Sequence, residues 1–146
     1  MRRYGEPPLK DQIYTPRPGA YGVLAYQGRV LLTHQILPKA EVQLPGGGID
    51  PGESPIQALH RECLEETGWR VNIVTRLGAY QRYTFMPDYE LWAQKICHIY
   101  LCVPTMKRAE PTEPHHRNLW VSPDEAYEVL SSDGDRDFLE TALLRR

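Results

Sequence analysis

No CxxC pair occurs in this chain, and its cysteines, Cys63, Cys97 and Cys102, are odd in number. A disulfide framework and a structural zinc ribbon both need paired, suitably spaced thiols, so neither is expected. Long apolar runs are missing as well, and the opening MRRYGEPPLKDQ has no apolar stretch of the secretory kind. A membrane partner is therefore not expected, and cytoplasmic residence is the working expectation. Nor is there an excess of one charge: 17 Lys and Arg stand against 19 Asp and Glu, a net charge of −2. Without a basic run to follow a polyanion, nucleic acid is not an expected partner. Internal repeats and low-complexity tracts are absent too, so a repeat architecture is not expected.

What remains is ordinary in bulk. At 146 residues, 41% hydrophobic and 25% charged, the chain suits one domain with its own core, as a monomer or a homodimer. Residues 1–16 are polar and broken by proline, and are expected to form a mobile or surface-hugging arm; residues 17–146 form the domain. GAYGVLAY, the turn Gln27-Gly28 and RVLLTHQ read as a hairpin with Val23, Leu24, Val30, Leu31 and Leu32 as core contacts. Residues 41–44 make a short strand running into Pro45-Gly46-Gly47-Gly48. Residues 69–85 read as a long strand with Gly78 as a bulge candidate, and residues 91–103 and 119–121 as further strands. Helices are expected after Ser122-Pro123 and over 135–144. Strands before, between and after helical regions predict a mixed sheet with helices on its faces.

The chemistry concentrates in GGIDPGESPIQALHRECLEETGW, residues 47–69. Ser54 is the expected N-cap with Pro55 in the first helical position, and Gly68 stops a helix over 55–67. Ile56, Leu59 and Cys63 recur at helical spacing on an apolar side. At about 100° per residue, Glu62, Glu65 and Glu66 leave the same helix from one adjacent arc. Packing like charges there costs a few tenths of a kcal/mol per pair, so a compensating partner is expected. A hard divalent cation is one, because Mg²⁺ takes carboxylate oxygens and grips substrate phosphates.

The same residues resemble the signature of the Nudix hydrolases: Gly47, Glu53, Arg61, Glu62, a bulky apolar position at Cys63, then Glu65, Glu66, Gly68 and Trp69. Seven fixed identities and two apolar sites coincide by chance roughly once in 10⁹ positions. The resemblance implies an α/β/α sandwich (α/β, or α+β) with a mixed sheet and a loop–helix–loop at the box. It implies a MutT-like pyrophosphatase acting on a small nucleotide, a nucleoside diphosphate linked to another group. It also implies Mg²⁺ or Mn²⁺ held by Glu62, Glu65 and Glu66, with the carbonyl of Gly46 or Gly47 as a further ligand. Arg61 would orient the carboxylates by pairing with Glu53 or Glu65. The general base is either a box glutamate or a loop acid beyond the box, where Glu113 is expected and Glu110 competes. His115 and His116 are candidates for phosphate contact, or exposed loop residues.

Outside the box, Arg17 is a candidate for phosphate or sugar contact. Tyr83, Phe85 and Tyr89 are candidates for stacking on a base, with the strand core as their alternative place. Asp135, Arg136 and Asp137, opening the last helix, are candidates for reading base edges. No SQPWPFP-type array follows the box, and no coenzyme A signature precedes it. Pro87 lies eighteen residues past Trp69, off the usual ADP-ribose proline spacing and without the tyrosine of the dinucleoside-polyphosphate group. A nucleoside triphosphate is therefore the leading substrate class, with ADP-ribose or a nucleotide sugar and dinucleoside polyphosphates as alternatives. The competing class is a non-catalytic nucleotide-binding module; such modules usually lose a box glutamate, and this chain keeps all of them.

Overall fold

The computed structural model describes residues 1–37, 39–112 and 114–144. Strands β1 (Arg2–Arg3), β2 (Thr15–Tyr26), β3 (Arg29–Gln35), β4 (Glu41–Gln43) and β5 (Gly46–Gly48) precede helix α1 (Pro55–Thr67). Then come β6 (Trp69–Met86), a 3₁₀ turn at Pro87–Tyr89, β7 (Leu91–Lys107) and β8 (His116–Val121). Helices α2 (Pro123–Val129) and α3 (Asp133–Leu139) follow, with a π-helical turn over Glu140–Leu144. The strands form one mixed sheet in the order β1-β6-β7-β2-β3-β4, with β5 added to β2 and β8 to β3.

At the centre β2 runs parallel to β7, from Thr15 opposite Ala93 to Leu24 opposite Cys102. Helices cover both faces, which is why the middle of β2 reads as almost continuously apolar rather than alternating. Ala20, Leu24 and Leu31 pack with Ala58, Leu59 and Cys63 of α1. Tyr21, Val23, Val30 and Leu32 face the other way, onto Ala126, Leu130 and Leu139. The expected α/β/α arrangement is present. Among the described residues no helix is long and apolar enough to cross a membrane.

Helix α1 begins and ends where its punctuation places it. Ser54 Oγ accepts the Gln57 N–H at 3.1 Å and Gln57 Oε1 accepts the Ser54 N–H at 2.8 Å, a reciprocal cap that fixes the first turn. Its buried residues are Ala58, Leu59, Cys63, Glu66 and Thr67. Ile56, in the first turn, is 42% exposed instead of joining that face. Gly68 closes the helix at φ +76°, its N–H donating to the Leu64 carbonyl at 2.9 Å. A Cβ at this position would stand 1.8 Å from the Ala109 carbonyl oxygen, a backbone atom with no freedom to retreat. Gly68→Ala is accordingly expected to lose at least about 2 kcal/mol of stability, read as a lower urea midpoint with unchanged slope.

Several elements extend beyond their sequence signals. Strand β2 starts at Thr15, within the expected arm, because Pro16 and Pro18 lie where their missing N–H groups leave no β7 hydrogen bond unmade. Arg2 and Arg3 add a short parallel strand beside Tyr80 and Gln81 of β6. The glycines of β5, expected as loop, pair with Gly19, Ala20 and Tyr21. The β6–β7 ladder shifts register three times, one shift falling at Arg76/Gly78, where a bulge was expected.

Candidate active site

Strand β5 and helix α1 bring the box together. Glu66, 3% exposed, sits on the buried side of α1, and its Oε1 accepts the Gly46 N–H at 2.7 Å. Its Oε2 lies 3.6 Å from Nε2 of His116, the first residue of β8. Glu62 reaches the β5 backbone beside Gly47, where a Cβ would come within 2.5 Å of the Glu62 carboxyl carbon. Glycine is needed there because the carboxylate occupies the space a side chain would take.

Arg61 organises the remaining acids. Its Nε and Nη2 donate to Glu53 Oε2 and Oε1 at 2.8 and 2.9 Å, a bidentate grip. Nη1 donates to Glu62 Oε1 at 2.9 Å and to Glu65 Oε2 at 3.4 Å, while Nη2 also donates to the Gly48 carbonyl at 2.9 Å. Glu53 Oε1 additionally accepts the Asp50 N–H at 2.8 Å, so the loop before α1 is tied to the helix through one carboxylate.

These donors favour the ionised form of Glu53, and the Arg61 hydrogen bonds lead in lowering its pKa from 4.5 to about 2. The group is ionised more readily folded than unfolded. Its contribution to stability is thus complete above the unfolded pKa of 4.5 and is lost as pH falls through about 2. Glu53→Gln lacks that contribution. The stability difference between wild type and Glu53→Gln is expected to be flat at neutral pH and to shrink across that acid window. Denaturation midpoints measured from pH 7 downward check it.

A cleft of about 360 Å³ opens on this assembly, with Glu62, Glu66, His116 and the β5 glycines at one end and Phe85, Pro87 and Tyr89 at the other. An inner recess of about 110 Å³ continues from it, lined by Tyr80, Cys97, Ser132 and Asp135. Tyr21, Glu41, Arg82 and Lys95 border both spaces. Asp135 is buried; it accepts the Tyr80 hydroxyl at 2.7 Å and the Leu44 N–H at 3.3 Å. Burial pushes its carboxyl above the usual range against the pull of those hydrogen bonds.

The candidate residues are distributed unevenly around the cleft. Tyr89 lines it and Phe85 borders it with its ring 5.2 Å from that of Trp92, whereas Tyr83 packs edge-on against Tyr14 with ring centroids 4.7 Å apart. Tyr83 falls between Arg82 and Thr84, which line the cleft, and so leaves β6 from the opposite face. Arg17 lies within β2, its guanidinium carbon 4.6 Å over the Tyr89 ring. Glu65 is bound to Arg61 at the rim, and its carbonyl accepts the Thr112 N–H at 2.8 Å. Glu110 pairs with Lys107 at 3.0 Å on the surface. Glu113 lies outside the described residues. Arg136 pairs with Asp133 at 3.1 Å; Asp137 pairs with Arg2 at 3.2 Å and lines a separate pocket with Tyr4 and Phe138, so of the last-helix candidates Asp135 is the one on the recess that continues from the cleft. The sequence reading missed Tyr21, Arg82 and Lys95, which carry no local signal because β6 and β7 hold several other polar and charged residues.

A model of the NUDIX domain matches residues 14–142, and the chain belongs to the Nudix family. The RNA pyrophosphohydrolase of Helicobacter pylori (strain G27) is 54% identical over 41 residues, 28% of this chain and 25% of that protein. The ADP-ribose pyrophosphatase of Bacillus subtilis (strain 168) is 34% identical over 89 residues, 58% of this chain and 45% of that protein. The matches thus span between a quarter and just under half of these curated relatives. A MutT protein structure from Bacillus halodurans superposes with a TM-score of 0.71 at 21% identity, covering 88% of this chain and 82% of that one.

Nudix hydrolases generally use a divalent metal, and the donor set here suits one in kind. Glu62, Glu65 and Glu66 offer carboxylate oxygens beside the backbone carbonyls of β5, all hard ligands. The missing side chain at Gly47 leaves room for the Glu62 carboxylate against that backbone. The carboxylates are at present engaged with Arg61 and the Gly46 N–H, and among the described residues no three acidic, thiol or imidazole groups converge on one point.

Proposed function

We propose that the chain hydrolyses a pyrophosphate bond in a nucleoside diphosphate linked to another moiety, with a nucleoside triphosphate as the leading substrate class. The observation that carries this reading is the placement of Glu62 and Glu66 on the wall of a nucleotide-sized cleft. A divalent cation held by Glu62, Glu65, Glu66 and a carbonyl of Gly46 or Gly47 would neutralise phosphoryl charge and acidify a bound water. Arg61 keeps Glu53, Glu62 and Glu65 oriented toward one another, so their geometry is set before substrate arrives. Backbone at Gly46–Gly48 allows phosphates close approach, and Tyr89 offers a ring to a base at the far end. A box glutamate or Glu113 takes the proton of the attacking water.

The test is a panel of nucleoside triphosphates, ADP-ribose, a nucleotide sugar and a dinucleoside polyphosphate, each with Mg²⁺ or Mn²⁺. Products are followed as phosphate, pyrophosphate and nucleoside monophosphate. Turnover of at least one member is expected, the triphosphates foremost. Saturable nucleotide binding without turnover under any metal would establish the binding module instead.

A further inference from the structure

Three cations stand in one row across the sheet. The register places Arg17 of β2 opposite Lys95 of β7, and Lys95 opposite Arg82 of β6. Directly opposed residues on neighbouring strands project from the same face, and like charges so placed weaken a sheet. Arg17 meets the Tyr89 ring, and Arg82 has a distant counterion, its Nη2 lying 4.0 Å from Glu41 Oε2. Lys39 shares that same carboxylate at 4.0 Å.

Lys95 is the uncompensated member. Among the described residues no carboxylate lies within 4.0 Å of its ammonium and no hydrogen bond reaches it; the Tyr21 ring lies 5.9 Å away, and Glu41 and Asp135 act on it only from a distance. Asp135, the other acid of the recess, is engaged by Tyr80 and Leu44. Burial and then the Arg82 charge pull the Lys95 pKa down, outweighing the upward pull of Cys97, Glu41 and Asp135. A charge taken from water without a partner is costly, so the site is built to receive one.

We propose that Arg82 and Lys95 form an oxyanion subsite where the cleft meets its inner recess, filled by a phosphate or carboxylate on the substrate's far group. Glu62, Glu66 and the β5 glycines do not line the recess, so this anion is additional to the diphosphate at the box. At about 110 Å³ the recess suits a small group, and the Ser132 hydroxyl lining it is a polar contact for a charged oxygen, the Tyr80 proton being already given to Asp135. Assigning the anion to the substrate rests on the hydrolytic reading; the existence of the subsite does not.

Inorganic phosphate titrated into metal-free protein, followed by calorimetry, tests the subsite without any turnover. One saturable site is expected in wild type, weakened at least about tenfold in Lys95→Met. Lys95→Met is also expected to melt above wild type in the absence of phosphate, since it removes an unpaired charge. Absent binding in wild type, equal binding in the variant, or a lower melting point would each overturn the subsite. Its bearer is tested by the kcat/KM ratio between two nucleoside diphosphate substrates, one ending in a phosphate or carboxylate and one in an uncharged sugar. The charged end is expected to be preferred, and Lys95→Met to shrink that preference about tenfold. An unchanged ratio beside weakened phosphate binding overturns the assignment to substrate, whereas phosphate binding without turnover of either compound sinks the hydrolytic reading alone.

Discussion

Glu66→Gln is expected to lower kcat for metal-dependent hydrolysis by about 10³-fold or more while leaving the protein folded. The substitution is nearly isosteric, and its amide oxygen still accepts the Gly46 N–H that Glu66 Oε1 now receives at 2.7 Å. What disappears is negative charge on a side chain that is 3% exposed at the cleft wall. There, screening by water is weak and one charge toward a cation counts for far more than at a surface. Losing a single preorganised electrostatic group costs about 10²–10³ in kcat in well-studied enzymes, and a directly liganding carboxylate belongs at or above that range. The stability change should be small beside the loss of turnover, since removing a buried charge relieves desolvation and the backbone N–H stays satisfied, offsetting the weakened pairing with His116 at 3.6 Å. Glu66→Ala separates the two roles, because it leaves the Gly46 N–H unpaired and should cost about 1–3 kcal/mol as well as activity. Retention of more than about a tenth of wild-type kcat by a folded Glu66→Gln would place the essential charge elsewhere.

The box and helix α1 were legible in the sequence because their signals are local. Ser54, Pro55 and Gly68 mark the ends of α1 within one turn each, and the helix runs over Pro55–Thr67 as read. The hairpin around Gln27-Gly28 was legible for the same reason. The parallel pairing of β2 with β7 was not, since it joins residues far apart in the chain and leaves no short-range pattern. Ile56 shows the limit of periodicity: its spacing predicts burial, yet the first turn of α1 leaves it exposed. The row of Arg17, Lys95 and Arg82 was hidden more deeply. Its members meet only through two registers, β2–β7 and the β6–β7 ladder that shifts three times, and a slip of one residue sends a side chain to the other face. Chemistry carried within one helix can be read from spacing, whereas a pocket assembled across strands cannot.

Arg61→Ala is expected to lower kcat/KM by about 100-fold, with Arg61→Lys recovering only a small part of it. The side chain is a single hub: it grips Glu53 through two N–H groups, reaches Glu62 and Glu65 through a third nitrogen, and binds the Gly48 carbonyl. Lysine keeps the charge but offers one nitrogen without the planar fork, so it can hold Glu53 or Glu62 and not both with the loop. If Arg61 acts by orientation, its loss should be visible apart from turnover. Glu53, now held at a pKa of about 2 chiefly by Arg61 and then by the Asp50 N–H, should move up toward its ordinary value in Arg61→Ala, followed by carboxyl carbon shifts in NMR. Weaker binding of Mn²⁺ should accompany it, because Glu62 and Glu65 would then lack the partner that fixes their direction. A variant in which Glu53 titrates normally yet kcat/KM stays within about threefold of wild type would reduce the hub to a surface ion-pair cluster, with no part in positioning the carboxylates.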